Sequence, residues 1–193
     1  MEFKSNLENI IKILESGTTQ NKIEILKTLC NTNDLKILEQ VISKLNDDNI
    51  QVRGEAFNAL LLNKNEISKT LIDNLSSSNK NIRGFTSLIL ANRNERIAIP
   101  QIIKLVEDEH GMVRSCAIGA LSYLKAEKIT DIILKLLSDS NLEVQKSALQ
   151  AAIQVNATIS KNKIEEISKN NDQQIKNLLL KLKNKWTGRD LNP

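Results

Sequence analysis

Val106-Glu-Asp-Glu-His-Gly-Met-Val-Arg-Ser-Cys-Ala-Ile-Gly-Ala-Leu121 is the stretch whose reading decides the fold. It holds an acidic turn, then Val113-Arg114, then small residues at Ala117 and Ala120 and a leucine at position 121. Upstream the same frame runs Leu45, Asp47, Val52-Arg53, Ala56, Ala59-Leu60, and again Leu75, Ser77, Ile82-Arg83, Thr86, Ile89-Leu90. Downstream it returns as Leu137, Asp139, Val144-Gln145, Ala148, Ala151-Ala152. The anchors 52, 82, 113 and 144 are spaced by 30, 31 and 31 residues. A fixed period of this length predicts stacked supersecondary units, each too small to bury its apolar face alone and each covered by the next.

Each unit reads as two short helices. In the first, Leu38, Val41, Ile42 and Leu45 recur at the spacing of one helical stripe. Equivalent stripes are Ile67/Leu71/Ile72/Leu75, Ile99/Ile102/Ile103/Val106 and Ile129/Ile133/Leu136/Leu137. Pro100 stands near the start of its helix, where a missing N–H costs little. A polar turn follows, ending at Asn49, Asn79, His110 or Asn141, three residues before the anchor. An asparagine there can accept a bond from a free amide of the next helix, so it reads as an N-cap; His110 is the exception. The second helix places 52, 56, 59 and 60 and their counterparts on one side, facing the core. Small residues at 56, 117 and 148 allow close approach of helix axes.

The frame extends, weakened, to both ends. Leu7, Ile10, Ile11 and Leu14 supply a first helix, and Leu26, Leu29 and Cys30 a second. At the other end Ile159, Ile164 and Ile167 precede Ile175, Leu178, Leu179 and Leu182, with Asp172 where the cap belongs. The expected fold is an all-α solenoid of about six hairpins in a single domain, residues 1–182. Its units are roughly 1–33, 34–64, 65–94, 95–125, 126–156 and 157–182, followed by a basic, irregular tail over 183–193.

Composition supports this reading. Aromatic residues are 3% of the chain against 40% hydrophobic overall, so the core must be built from Leu, Ile, Val and Ala. Six glycines and two prolines leave little turn chemistry for a sheet protein. Cys30 and Cys116 lie far apart at apolar positions and read as reduced thiols. No stretch approaches the ~20 apolar residues of a membrane span, and the N-terminus lacks an apolar targeting run. A soluble, cytoplasmic protein is expected. Residues 1–160 carry 19 basic and 19 acidic side chains, and residues 161–193 carry 8 against 4. The surplus charge is therefore local to the C-terminal end.

The pattern of Leu, turn Asp, Val-Arg, Ala and Ala-Leu resembles HEAT repeats, in particular the short units also found in the phycobilisome lyase group. The resemblance covers 34–156 well and 7–182 loosely. It implies a helical scaffold for protein–protein interaction, with the second helices lining the concave side. It also implies a ladder between neighbouring units, in which Asp47, Asp108 and Asp139 supply the acid and Arg53, Arg83 and Arg114 the base. Ser77 and Gln145 depart from the pattern and should interrupt that ladder.

A single histidine limits the chemistry. His110 alone cannot furnish the repeated His-Glu pairs of the di-iron hydroxylases built on HEAT-type repeats, and two isolated cysteines do not complete a zinc site. It stands at a helix start, where the dipole disfavours imidazolium, and has no evident nucleophile beside it. No Gly-rich phosphate loop is present. The expectation is a non-enzymatic protein with no cofactor and no metal.

On the helical wheel the central units direct Gly84, Phe85 and Leu88, then Met112, Ser115, Cys116, Gly119 and Tyr123, away from the core. The outer units place Gln51, Glu55, Asn58, Glu143, Ser147, Gln150 and Gln154 there. An apolar centre with polar flanks suits a partner peptide or helix, so Phe85, Leu88, Met112, Cys116 and Tyr123 are the candidate groove. Packing between neighbouring units is the competing role for Phe85 and Cys116. The alternative function, nucleic-acid binding on an architecture like that of the HEAT-like alkylpurine DNA glycosylases, would rely on Lys161, Lys163, Lys169, Lys176, Lys181, Lys183 and Lys185. A lyase-like role in attaching a pigment to a carrier rests on the resemblance alone.

Overall fold

The turn asparagines cap helices as their positions predict. In the computed structural model, which describes residues 2–187, Asn49, Asn79 and Asn141 each accept from the amides of the second and third residues of the next helix. Asp172 does the same for the last helix, accepting from Gln174 N at 2.8 Å and Ile175 N at 3.0 Å. His110 takes up the same extended backbone but makes no side-chain cap. These bonds satisfy donors that a helix start otherwise leaves open.

All regular structure among the described residues is helical. The chain divides into two compact units, residues 1–101 and 102–193. The first holds α1 (Glu2–Ser16), α2 (Thr19–Thr28), α3 (Leu35–Ser43), α4 (Ile50–Leu62), α5 (Ser68–Asp73) and α6 (Lys80–Asn92). The division falls within α7 (Ile99–Lys104). The second unit goes on with α8 (Gly111–Tyr123), α9 (Ile129–Leu136), α10 (Leu142–Val155), α11 (Lys161–Ser168) and α12 (Gln173–Thr187). Within the first unit α1, α3 and α5 pack in one row and α2, α4 and α6 in another. Within the second, α10 packs between α8 and α12, with α9 and α11 beside their own partners. This is the all-α hairpin-repeat class of the α-solenoids.

The core is the set of periodic positions. Val52, Ala56, Ala59 and Leu60 are buried, as are Val113, Ala117, Ala120 and Leu121 and then Val144, Ala148, Ala151 and Ala152. At α6, Thr86, Ile89 and Leu90 are buried. With Ala117 and Ala148 fully covered, α8 and α10 pack through methyl-sized contacts, which require little side-chain ordering.

Two expectations are corrected. The α7 stripe is not Ile99/Ile102/Ile103/Val106: Ile103 is exposed and Ile99 half-buried, while Ala98, Ile102, Leu105 and Val106 are buried. A six-residue helix set between 3₁₀ turns at Arg96–Ala98 and Leu105–Glu107 does not sustain the 3.6-residue period. Residues 183–187 are not an irregular tail but the end of α12, because no helix breaker occurs before Gly188. Lys185 fastens this end by donating to the Ile153 carbonyl at 2.7 Å. The remaining tail positions, 188–193, lie outside the described residues.

Helix exits follow the same beat. Asn94, Lys125 and Asn156 all adopt positive φ (58°, 49° and 56°). The next amide in each case bonds back to the carbonyl five residues earlier: Glu95 to Leu90, Ala126 to Leu121 and Ala157 to Ala152. This is the Schellman exit, which closes carbonyls that a helix end leaves open. The exit of α4 differs. Asn63 stays extended, accepts from Asn65 N through its side chain, and donates to Thr32 O at 2.7 Å. Arg93 then reaches back to the carbonyls of Leu60, Asn63 and Asn65, so side chains fasten these linkers.

Candidate protein-binding surface

Each hairpin turn is built around a short acceptor. Asp47 Oδ1 accepts from Asn49 N at 3.0 Å, Asp108 Oδ1 from His110 N at 2.9 Å, and Asp139 Oδ1 from Asn141 N at 2.8 Å. Where serine replaces the acid, Ser77 Oγ accepts from Asn79 N at 3.2 Å. The turn geometry therefore survives the substitution and the charge does not.

The arginine after the anchor closes the turn from the other side. Arg53 Nη1 donates to the carbonyls of Asp47 and Asp48 at 2.8 and 3.0 Å, and Arg83 Nη1 to those of Ser77 and Ser78 at 2.8 and 3.0 Å. Arg114 Nη1 does the same with Asp108 and Glu109. Gln145 retains one such bond, to Asp139 O at 2.6 Å.

Arg114 also grips the next turn. Its Nε donates to Asp139 Oδ2 at 2.8 Å and its Nη2 to Asp139 Oδ1 at 2.7 Å, with side chains only 15% and 9% exposed. Such a two-pronged, partly buried pair fixes both distance and orientation. The bond to Arg114 holds the Asp139 carboxyl below its usual range, and the same bond raises the guanidinium. In the first unit the equivalent rung is Lys22 Nζ to Asp47 Oδ2 at 2.8 Å. Burial pushes the Asp47 carboxyl up, but Lys22 and the Asn49 amide outweigh it and the net direction is down.

Sequence reasoning missed Lys22 as a base. It also missed that Lys146, beside Gln145, pairs with Asp172 at 3.0 Å. The signal was the spacing from base to acid: 22 to 47, 114 to 139, 146 to 172.

Arg53 has no such rung. Its turn-facing bonds are those of Nη1, and among the described residues no carboxylate meets its Nε or Nη2. The same side chain lines a depression on the first unit, with Ile50, Gly54 and Phe57 of α4 and Phe85 and Leu88 of α6. The cavity measures about 330 Å³. A Cβ placed on Gly54 would meet nothing within 4 Å, and Ile50 is 72% exposed. Phe85 and Leu88 thus share one apolar hollow. Ile50 and Phe57 had not been expected there, because the wheel of α4 alone assigned its outward positions to polar residues.

The other candidate residues lie on α8 of the second unit. Met112 and Cys116 are half-buried and touch each other, Cys116 Sγ lying 3.6 Å from Met112 Sδ. Burial pushes the Cys116 thiol up to about 11, which leaves it protonated at neutral pH and a poor nucleophile. Tyr123, at the end of α8, is 53% exposed. His110 Nδ1 lies 3.5 Å from Asp108 Oδ1 and 3.4 Å from Glu109 Oε1, in neither case a well-formed hydrogen bond. Among the described residues no group of three or more His, Cys, Asp or Glu side chains is arranged to hold a metal ion, and no helix is long and apolar enough to cross a membrane. Of the C-terminal lysines, Lys163 is engaged by Ser138 and Glu166, and Lys185 by the Ile153 carbonyl.

Residues 68–154 match the family model for HEAT repeats. Solved structures with the same fold include the complex of CpcE and CpcF of phycocyanin lyase from Nostoc sp. PCC7120, 20% identical, covering 90% of this chain and 74% of that one, with a TM-score of 0.54. A designed armadillo repeat protein in complex with the peptide (KR)4 is 16% identical, covers 90% of this chain and 96% of its own, and also scores 0.54. The MAST/Orbit N-terminal domain is 14% identical over 95% of this chain and 97% of its own, again at 0.54. No curated protein matches the chain in sequence.

Proposed function

From the match of residues 68–154 to HEAT repeats, we propose that this chain is a non-catalytic scaffold that takes a peptide or helix of a protein partner on the exposed side of its second helices. The observation that carries the reading is the hollow between α4 and α6, where Phe57, Phe85 and Leu88 remain open to an incoming apolar side chain. Met112, Cys116 and Tyr123 are proposed as further contacts on the second unit, where they occupy the same helix of their own repeat. A designed repeat protein of the same fold holds a peptide, which supports the mode of use and says nothing of the partner. Two free thiols, one of them with its pKa raised by burial, fit a reducing compartment, and the proposed location is cytoplasmic.

The test is affinity capture with cross-linking from the native cell, repeated with Leu88→Ser and Tyr123→Ser combined. Neither side chain is fully buried, so helicity and thermal midpoint should stay close to wild type while partner capture is lost. Unchanged capture by a folded double variant would remove the proposal. Retention of nucleic acid that weakens steeply with salt, and survives the double variant, would replace it.

A further inference from the structure

The geometry points to an acidic–apolar peptide as the occupant of the α4/α6 hollow: one Asp or Glu gripped by Arg53, with a large apolar side chain seated against Phe57, Phe85 and Leu88. This rests on the scaffold reading above and adds to it the chemistry of the partner.

Arg114 and Arg53 hold the same repeat position and both spend Nη1 on the carbonyls of their own turn. That leaves the Nε/Nη2 edge of each guanidinium. Arg114 fills this edge with the Asp139 carboxylate at 2.7 and 2.8 Å. At Arg53 the corresponding acid is Ser77, whose hydroxyl already serves the Asn79 amide. The neighbouring Asp47 does not compensate, because its carboxylate is committed to Lys22 and to Asn49 N. A two-donor fork is thus held in position by its own turn with no anion supplied from the described chain, and it lines an apolar hollow. A fork of this kind selects a planar carboxylate.

The hollow sets the second requirement. Its lining is Ile50, Gly54, Phe57, Phe85 and Leu88 besides Arg53, with no acidic side chain among them. The open space above Gly54 lets a peptide backbone approach α4 closely. At about 330 Å³ the site has room for one or two side chains and not for a folded surface. An aromatic or leucine side chain beside the acid meets both demands, and a basic peptide meets neither.

The probe is a library of synthetic octapeptides placing one Glu or Asp within four residues of a Leu or Phe, together with the same library carrying Gln and Asn instead. Both are applied to the immobilised full chain. Retention of the acidic set, with affinity about tenfold or more above the amide set, is expected. Arg53→Gln should erase that preference. Ser77→Asp supplies an internal carboxylate to the same fork and should erase it too, without loss of thermal stability, which separates occupancy of the site from unfolding. Equal retention of the two libraries, lost with Leu88→Ser, would overturn the carboxylate inference and leave the hollow as a docking site. Acidic peptides held equally by wild type, Arg53→Gln and Ser77→Asp would overturn it as well. Retention of neither library would remove both the inference and the docking role of the hollow.

Discussion

Arg114 and Arg53 occupy one position in two hairpins and have different surroundings. The first closes a carboxylate across to the next turn, and the second closes only its own. Backbone, anchor and turn acceptor are alike, so the contrast isolates what one acid contributes to the register of a repeat. Under the peptide proposal, it is also how a repeat protein would acquire a recognition group: a missing rung leaves half of a guanidinium without its acid while the turn continues to position it.

Asp139→Ala leaves a guanidinium only 15% exposed without its acid and should cost about 2–3 kcal/mol in urea unfolding. The same rung sets an acid limit. Because the Asp139 carboxyl titrates below its unfolded value of about 3.9, its contribution is complete above that pH and is lost as pH falls through the lower, folded value. Asp139→Asn should therefore lose less stability than wild type between neutral pH and the acid range, as followed by circular dichroism. Arg53→Ala removes only bonds to its own turn and should cost about 1 kcal/mol, visibly less than the loss at Asp139. The smallest effect is a gain. Ser77→Asp rebuilds the missing rung at a half-exposed site and should add about 0.5–1 kcal/mol by the same assay.

The hairpins were legible because their signals are local. A cap asparagine acts on amides two and three residues away, and an alanine at 148 is small wherever it stands. The turn ladder was legible only where the expected residue types were present. Lys22 and Lys146 carry rungs as lysines, one of them beside the expected position, and only the distance to the acid reveals them. The positive φ at Lys125 could not be read, since lysine has no preference for that conformation; its place on the same beat as Asn94 and Asn156 explains it afterwards. The hollow escaped because it belongs to two helices at once. A wheel drawn for α4 alone cannot bring Phe57 beside Phe85 and Leu88, which α6 supplies.

A double-mutant cycle compares the two positions most directly. Arg114→Ala and Asp139→Ala, singly and together, are measured beside Arg53→Ala and Ser77→Ala by chemical denaturation of the full chain. The account predicts a coupling of about 1.5–3 kcal/mol for the first pair and additivity within about 0.5 kcal/mol for the second. Equal coupling in the two pairs would mean that Arg53 is already engaged as Arg114 is, and would contradict it.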